Sequence, residues 1–316
     1  MDYEAFVNEY LKRLKERLGD VQIERKQMQK VNETVDSFLV RYPDSNIAPS
    51  LPLGIRYRQF QDGCPMDKVV GETEMLLHQI REEELILPKL NRETAKESLY
   101  AVIVNAKKNE ELLRTVPHER IADLAMIPRF RVSDNASFVV NEGICRELKM
   151  TASEVMEQAK KNTKQQEYQC ISIAEVLREI MTKQNVPEEY MREMLTGVEH
   201  ECPMYILSNK RREEGAVVLG NRMALDQARA YLGEDIYILP SSRHEVIVVP
   251  VSAFADDVRL LKDMVAEVNR AEVDERDRLS DNVYFYGESR QLRMAEERER
   301  AEQVTEQKSV AKSVRR

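Results

Sequence analysis

The runs MYILSN (204–209), AVVL (216–219), IYIL (236–239), VIVVPV (246–251) and VYFY (283–286) decide the fold. Each is short, rich in β-branched and aromatic residues, and bounded by turn-forming or charged residues, which is the pattern of a strand. Residues 224–231 and 256–268 read as helices between them. The resulting ββαββαβ order makes neighbouring strands antiparallel, so the class is α+β rather than a doubly wound parallel sheet.

Upstream, the patterns continue in the same class. Tyr3, Phe6, Val7, Tyr10, Leu11, Leu14 and Leu18 recur at three- and four-residue spacing, predicting a helix that Asp2 caps and Gly19 ends. Residues 21–41 read as a hairpin, 55–60 and 66–80 as helices, and 99–104 as a buried strand; Lys107 to Arg114 reads as helical. Residues 121–132 and 137–140 read as two strands joined by the tight turn Ser133-Asp134-Asn135. Thr151 with Glu154, and Ser172 with Glu175, have capping-box spacing at helix starts, and Pro187 opens a further helix. From 288 the composition shifts to eight Lys or Arg against six Asp or Glu with little apolar periodicity, predicting a solvated or frayed helical tail. The expected organisation is an α+β region over 1–195, the ββαββαβ region over 196–287, able to share a core with the first, and the tail over 288–316.

Composition narrows the function classes. Of the 316 residues, 42% are hydrophobic and 33% charged, enough apolar material for a core beneath a highly charged surface. The net charge is −8, and −10 without the tail's net +2, so the average composition gives no support to nucleic-acid binding. No apolar run approaches the roughly 20 residues that span a bilayer, and the N-terminus has no signal-peptide pattern. Cys64, Cys145, Cys170 and Cys202 form no CxxC pair and read as reduced structural thiols. A cytoplasmic location is the expectation, with no cofactor implied.

The stretches SNIAPSLPL (45–53), VPHERIADLAMIPRF (116–130), MYILSNKRREEGA (204–216), YILPSSRHEVIVVP (237–250) and VNRAEVDERDRLSDNVYFY (268–286) resemble successive blocks of the bacterial domain-of-unknown-function 5688 family. That family is typical of gut anaerobes and their mobile elements. The resemblance covers most of the chain to about Tyr286 and implies a bacterial cytoplasmic origin; it transfers no activity, cofactor or catalytic residue. One departure stands before the Thr151 helix, where Leu148-Lys149-Met150 replace an aromatic-glycine pair, and the chain has no tryptophan.

Three groups of residues could carry chemistry. The first is Ser241, Ser242, Arg243, His244 and Glu245, a polar turn between two apolar strands that gathers the ingredients of nucleophilic catalysis. It lacks a nucleophile elbow, and a hairpin turn whose side chains satisfy backbone groups is the plainer reading. The second is the pairing of His118, His200 and His244 with a following glutamate, which shows no metal-binding spacing such as HExxH, so no metal site is assigned. The third is Lys210, Arg211 and Arg212 with Arg243, two basic loops able to grip a phosphate or carboxylate, although Glu213 and Glu214 would cancel much of that field. Met181, Met191, Met194 and Met204 read as core fillers. The sequence therefore favours a binding or accessory protein with a protein partner. The alternative is a hydrolase-like or metal-assisted enzyme centred on Ser241, Ser242, His244 and Glu245.

Overall fold

The computed structural model describes residues 1–45, 48–84, 90–133, 136–201, 203–240, 242–254 and 258–296. The chain divides into two compact units: one of residues 1–89 with 132–135, the other of residues 90–131 with 136–316.

In the first unit, α1 (Tyr3–Leu18) leads into the hairpin β1 (Gln22–Lys30) and β2 (Glu33–Arg41), then β3 (Ser50–Pro52), α2 (Leu53–Gln61) and α3 (Met66–Glu84). Asp2 accepts the Ala5 N–H at the start of α1, and Gly19, at φ 74°, ends it with its N–H on the Lys15 carbonyl. The α1 stripe buries Phe6, Val7, Tyr10 and Leu14 against Phe38 of β2 and Val69, Val70 and Leu77 of α3. Tyr10 donates to Thr73 Oγ1 at 2.8 Å, and burial pushes its phenol up to about 12. β1 and β2 pair antiparallel from Gln22↔Arg41 to Lys30↔Glu33, with Asn32 in the left-handed region at the turn.

The second unit begins with α4 (Arg92–Ser98), β4 (Leu99–Asn105), α5 (Glu110–Leu113), β5 (Glu119–Ile121), β6 (Leu124–Ser133), β7 (Ala136–Val139), α6 (Glu142–Glu147) and α7 (Ala152–Lys164). β4 pairs antiparallel with β6, whose other side takes β5, and β7 also pairs β6. The Thr151 capping box is formed in full, the threonine oxygen receiving the Glu154 N–H and the Glu154 carboxylate receiving the Thr151 N–H. Leu148 is fully buried, and Lys149 sits at φ 54°, a backbone position glycine takes without strain.

The chain continues through β8 (Tyr168–Ser172), α8 (Ile173–Lys183), α9 (Glu188–Glu201), β9 (Tyr205–Asn209), α10 (Arg222–Leu232), β10 (Ile236–Leu239), β11 (Val246–Pro250), α11 (Val258–Ala271), β12 (Tyr284–Tyr286) and β13 (Arg293–Met294). These strands form one sheet in the order β13-β12-β10-β11-β9-β8, antiparallel at each neighbouring pair. One face packs Tyr237, Leu239, Val249 and Phe285 onto Val258, Leu261 and Val265 of α11. The fold is thus α+β with antiparallel sheets and packed helices.

One expectation is corrected. The run 216–219 is no strand: Gly215–Gly220 is a turn of 3-10 helix, buried from Gly215 to Leu219. An apolar run buried on all sides carries no period, so sequence cannot separate a central strand from a buried helical turn. The regions expected to meet near 195 share a sheet, since β8 before that point pairs with β9 after it. In the segment from 288, Glu288 to Gln291 are exposed. β13 pairs with β12, Ala295 is fully buried against the α11 core, and Arg290 pairs with Asp226 of α10. Residues 297–316, and the turn residues Asp134 and Asn135, lie outside the described residues.

Candidate functional site

The β10–β11 turn is held on two sides. On one, the Arg243 N–H donates to the Asp277 carbonyl at 2.9 Å, and Ser242 bridges to Arg278. On the other, the His244 carbonyl accepts the Gly215 N–H at 3.0 Å and the Ser208 hydroxyl at 2.8 Å, while the Arg243 carbonyl accepts the Ala216 N–H. The backbones approach so closely at Gly215 that a Cβ there would lie 2.0 Å from Ser208 Oγ and 2.4 Å from the His244 carbonyl oxygen. Only glycine fits. That approach turns the chain out of strand geometry after β9 and produces the 3-10 segment.

Side chains close the same three loops ionically. Arg243 Nε lies 2.7 Å from Asp277 Oδ1 and its Nη1 3.2 Å from Glu214 Oε1. His244 Nδ1 accepts the Glu214 N–H at 3.4 Å, which requires the neutral ring to carry its proton on Nε2, and Nε2 faces Asp277 Oδ1 at 3.6 Å. Glu214 is only 15% exposed and stands in the left-handed region. Burial pushes its carboxyl above the ordinary range, opposed by the nearby Arg243, Arg129 and His244. Its Oε2 is buried without a hydrogen-bond partner among the described residues.

The expected residues are distributed as follows. Ser242, Arg243 and His244 share this cluster; Ser241 lies outside the described residues; Glu245 is half-buried at the start of β11 and makes none of these contacts among the described residues. Ser242 Oγ accepts the His244 N–H at 3.1 Å, so its hydroxyl is used in holding the turn. Of the basic residues proposed as an anion grip, Lys210 pairs with Glu167, Arg212 with Glu179 and Arg243 with two carboxylates, while Arg211 is exposed. An anion would have to displace a carboxylate at each of the first three.

His118 Nδ1 bonds the Val116 carbonyl at 3.0 Å, and the side chain of His200 lies outside the described residues. Among the described residues no three His, Cys, Asp or Glu side chains gather as a metal set. Cys64, Cys145 and Cys170 are free thiols, and burial pushes Cys170 up to about 12, far from a thiolate.

Sequence reasoning missed Glu214 and Asp277 as members of the cluster and missed Asp123 altogether. Glu214 was weighed only as a charge opposing Lys210 to Arg212, whereas its partner is Arg243, 29 residues on. Asp123 receives the hydroxyl of Ser280 at 2.6 Å, the amide of Asn282 at 3.0 Å and the hydroxyl of Tyr284. Its one available signal was position, in a block shared with the resemblance.

No curated protein and no solved structure matches the chain. A family model does match, over residues 3–288, and it includes all three loops of the ionic cluster and the Asp123 anchor. The chain therefore belongs to DUF5688, a family of unknown function.

Proposed function

We propose that the protein is a bacterial cytoplasmic binding or accessory protein of mobile-element-bearing anaerobes, and that it acts through a protein partner. The observation that carries this reading is on α9. Tyr190 and Met194, one turn apart, are 63% and 61% exposed, and Ile180 of α8 is 44% exposed. The inward faces of this helical hairpin are already served by Ala174, Met191 and Leu195 with Leu177 and Met181. Met194 was expected in the core and instead faces solvent, where a flexible thioether beside an aromatic ring suits a protein contact. The free thiols support a reducing compartment.

A second reading has one observation in its favour. Glu214, His244 and Asp277 converge, and a buried carboxyl with a raised pKa beside an imidazole is a combination that acid–base catalysis uses. Against it, Ser242 is occupied by the turn and the arginine neutralises both carboxylates.

The test compares partner capture by the wild type, Tyr190→Ser/Met194→Ser and His244→Ala, each checked for a cooperative melt. A defined partner retained by the wild type and His244→Ala but lost from the α9 variant supports the binding reading. Equal capture by all three would overturn the α9 assignment. Hydrolytic turnover abolished in a folded His244→Ala would replace binding with the enzyme reading.

A further inference from the structure

Sheet edges are where the second inference lies, because an unpaired strand offers its N–H and C=O groups to any extended chain unless something blocks it. Among the described residues nearly every edge carries a block. β1 is studded with Glu24, Arg25, Lys26 and Lys30, and β3 is three residues with a proline. β4 is uncharged but covered: the Ala101 N–H donates to Thr163 Oγ1, and the Leu99 carbonyl accepts from Asn162, both on α7. β5 is three residues carrying Glu119 and Arg120; β7 is four, with its Ser137 carbonyl taken by Arg129. β13 has two residues.

β8 is different. Its sequence, YQCIS, holds no charge and no proline, and it forms the end of the six-stranded sheet. All five residues are partly buried, whereas β10 and β12 are buried throughout. The ladder to β9 fixes which groups face outward. The Ile173 N–H donates to Met204 and the Lys210 N–H to Glu167, so residues 167, 169, 171 and 173 spend their backbone groups on β9. By alternation Tyr168 and Cys170 turn theirs to the open side, as does the Ser172 N–H, the Ser172 carbonyl being spent on the first turn of α8. Among the described residues no side chain bonds to them there.

We propose that this edge is a self-association surface, and that a second copy of the chain pairs with it antiparallel, β8 on β8, about a two-fold axis through Cys170. The register is self-complementary. Cys170 exchanges both backbone bonds with Cys170 of the partner subunit, and the Ser172 N–H donates to the carbonyl of Tyr168 of the partner subunit at either end. Odd and even residues keep their faces, so Gln169 falls opposite Ile171 of the partner subunit as a close, non-hydrogen-bonded pair. The absence of charge singles out a second copy as the occupant, because an isologous contact sets each residue against its own kind of strand and any charge on β8 would meet its like nearby. Glu167 at the strand's flank is paired with Lys210, which removes that repulsion too. The Ile171, Ile206 and Ile247 row, in register across three strands, then meets Gln169 of the partner subunit. This surface is separate from the exposed face of α9.

Sedimentation velocity of the full chain over a wide concentration range tests the proposal. The expected result is a rise from monomer to twice the mass in the wild type. Gln169→Lys/Ile171→Lys places like charges opposite one another across the axis and should hold the protein monomeric. Gln169→Glu/Ile171→Lys, altered at the same two positions, places opposite charges there and should restore a dimer that salt weakens. A wild type monomeric at every concentration would overturn the proposal, as would two charge variants that dimerise alike. Amide exchange in 168–172 gives a reading free of any variant: protection that grows with protein concentration supports the pairing, and protection independent of concentration contradicts it.

Discussion

Two carboxylates near the same loop, 273–284, are held in opposite ways. Asp123 collects donors from Ser280, Asn282 and Tyr284, and the ring of Tyr284 is fully buried beneath it. Glu214 has been moved out of water toward an arginine that is shared with Asp277, and one of its oxygens has no hydrogen bond among the described residues. The first arrangement satisfies a carboxylate with three neutral donors and so fixes a loop. The second leaves desolvation incompletely offset, so the charge itself costs stability. The difference separates a rivet of the fold from a group with spare chemical capacity.

The largest expected effect is at the rivet. Asp123→Ala strands a buried tyrosine hydroxyl and two further donors, and urea unfolding should register a loss of about 3 kcal/mol. If the loss stays below that of an ordinary surface substitution, Asp123 is not an anchor. Next in size is Gly215→Ala, where the new methyl meets the His244 carbonyl and Ser208; about 2 kcal/mol should be lost. Serine at 215 should fare no better, because the clash begins at Cβ.

Glu214→Gln sharpens the contrast through pH. A carboxyl whose native pKa is raised is protonated in the native state where the unfolded chain has already ionised it. Its contribution to stability is therefore greatest below the unfolded value, near 4.5, and falls as pH rises through the native value. The stability of the wild type relative to Glu214→Gln should climb as pH is lowered from 7 toward 4.5 in parallel thermal melts. A flat or falling difference would mean that Arg243, not desolvation, governs the group. Glu154 is the opposite control: the Thr151 N–H it accepts holds its carboxyl low, so the stability it contributes is lost on acidification.

The smallest effect is a gain. Lys149 stands at φ 54° with no side-chain hydrogen bond or ion pair among the described residues, and Lys149→Gly should raise stability by about 0.5 to 1 kcal/mol, the left-handed strain of a non-glycine residue less glycine's entropy cost. Leu148 beside it is fully buried.

Legibility in the sequence followed how far apart the causes lie. The α1 stripe, the Asp2 cap and the Thr151 capping box depend on neighbours within a turn, and each is realised. β9 to β12 were readable because β-branched runs at sheet length leave few alternatives. The 216–219 segment was misread because its geometry is set by Ser208 and His244 pressing on Gly215, contacts that no local pattern records. The burial of Ala295 was not legible because Ala295 and Met294 are too few to show a period, although a neighbouring strand and helix suffice to bury Ala295. At the candidate site, the SSRHE turn was conspicuous, but its meaning depends on Glu214 and Asp277, each about 30 residues away in sequence. A basic loop likewise looks free on paper until Glu167 and Glu179 are found beside it.

The most direct test of the view that the cluster is consumed internally is a thermal-shift series on the full chain and on His244→Ala, against divalent metals, nucleotides and small carboxylates. Any ligand that binds the native state raises the melting temperature by mass action. The account predicts no ligand-dependent shift that distinguishes the two proteins. A shift of several degrees in the wild type that vanishes in a cooperatively folding His244→Ala would contradict it and make the turn a binding site.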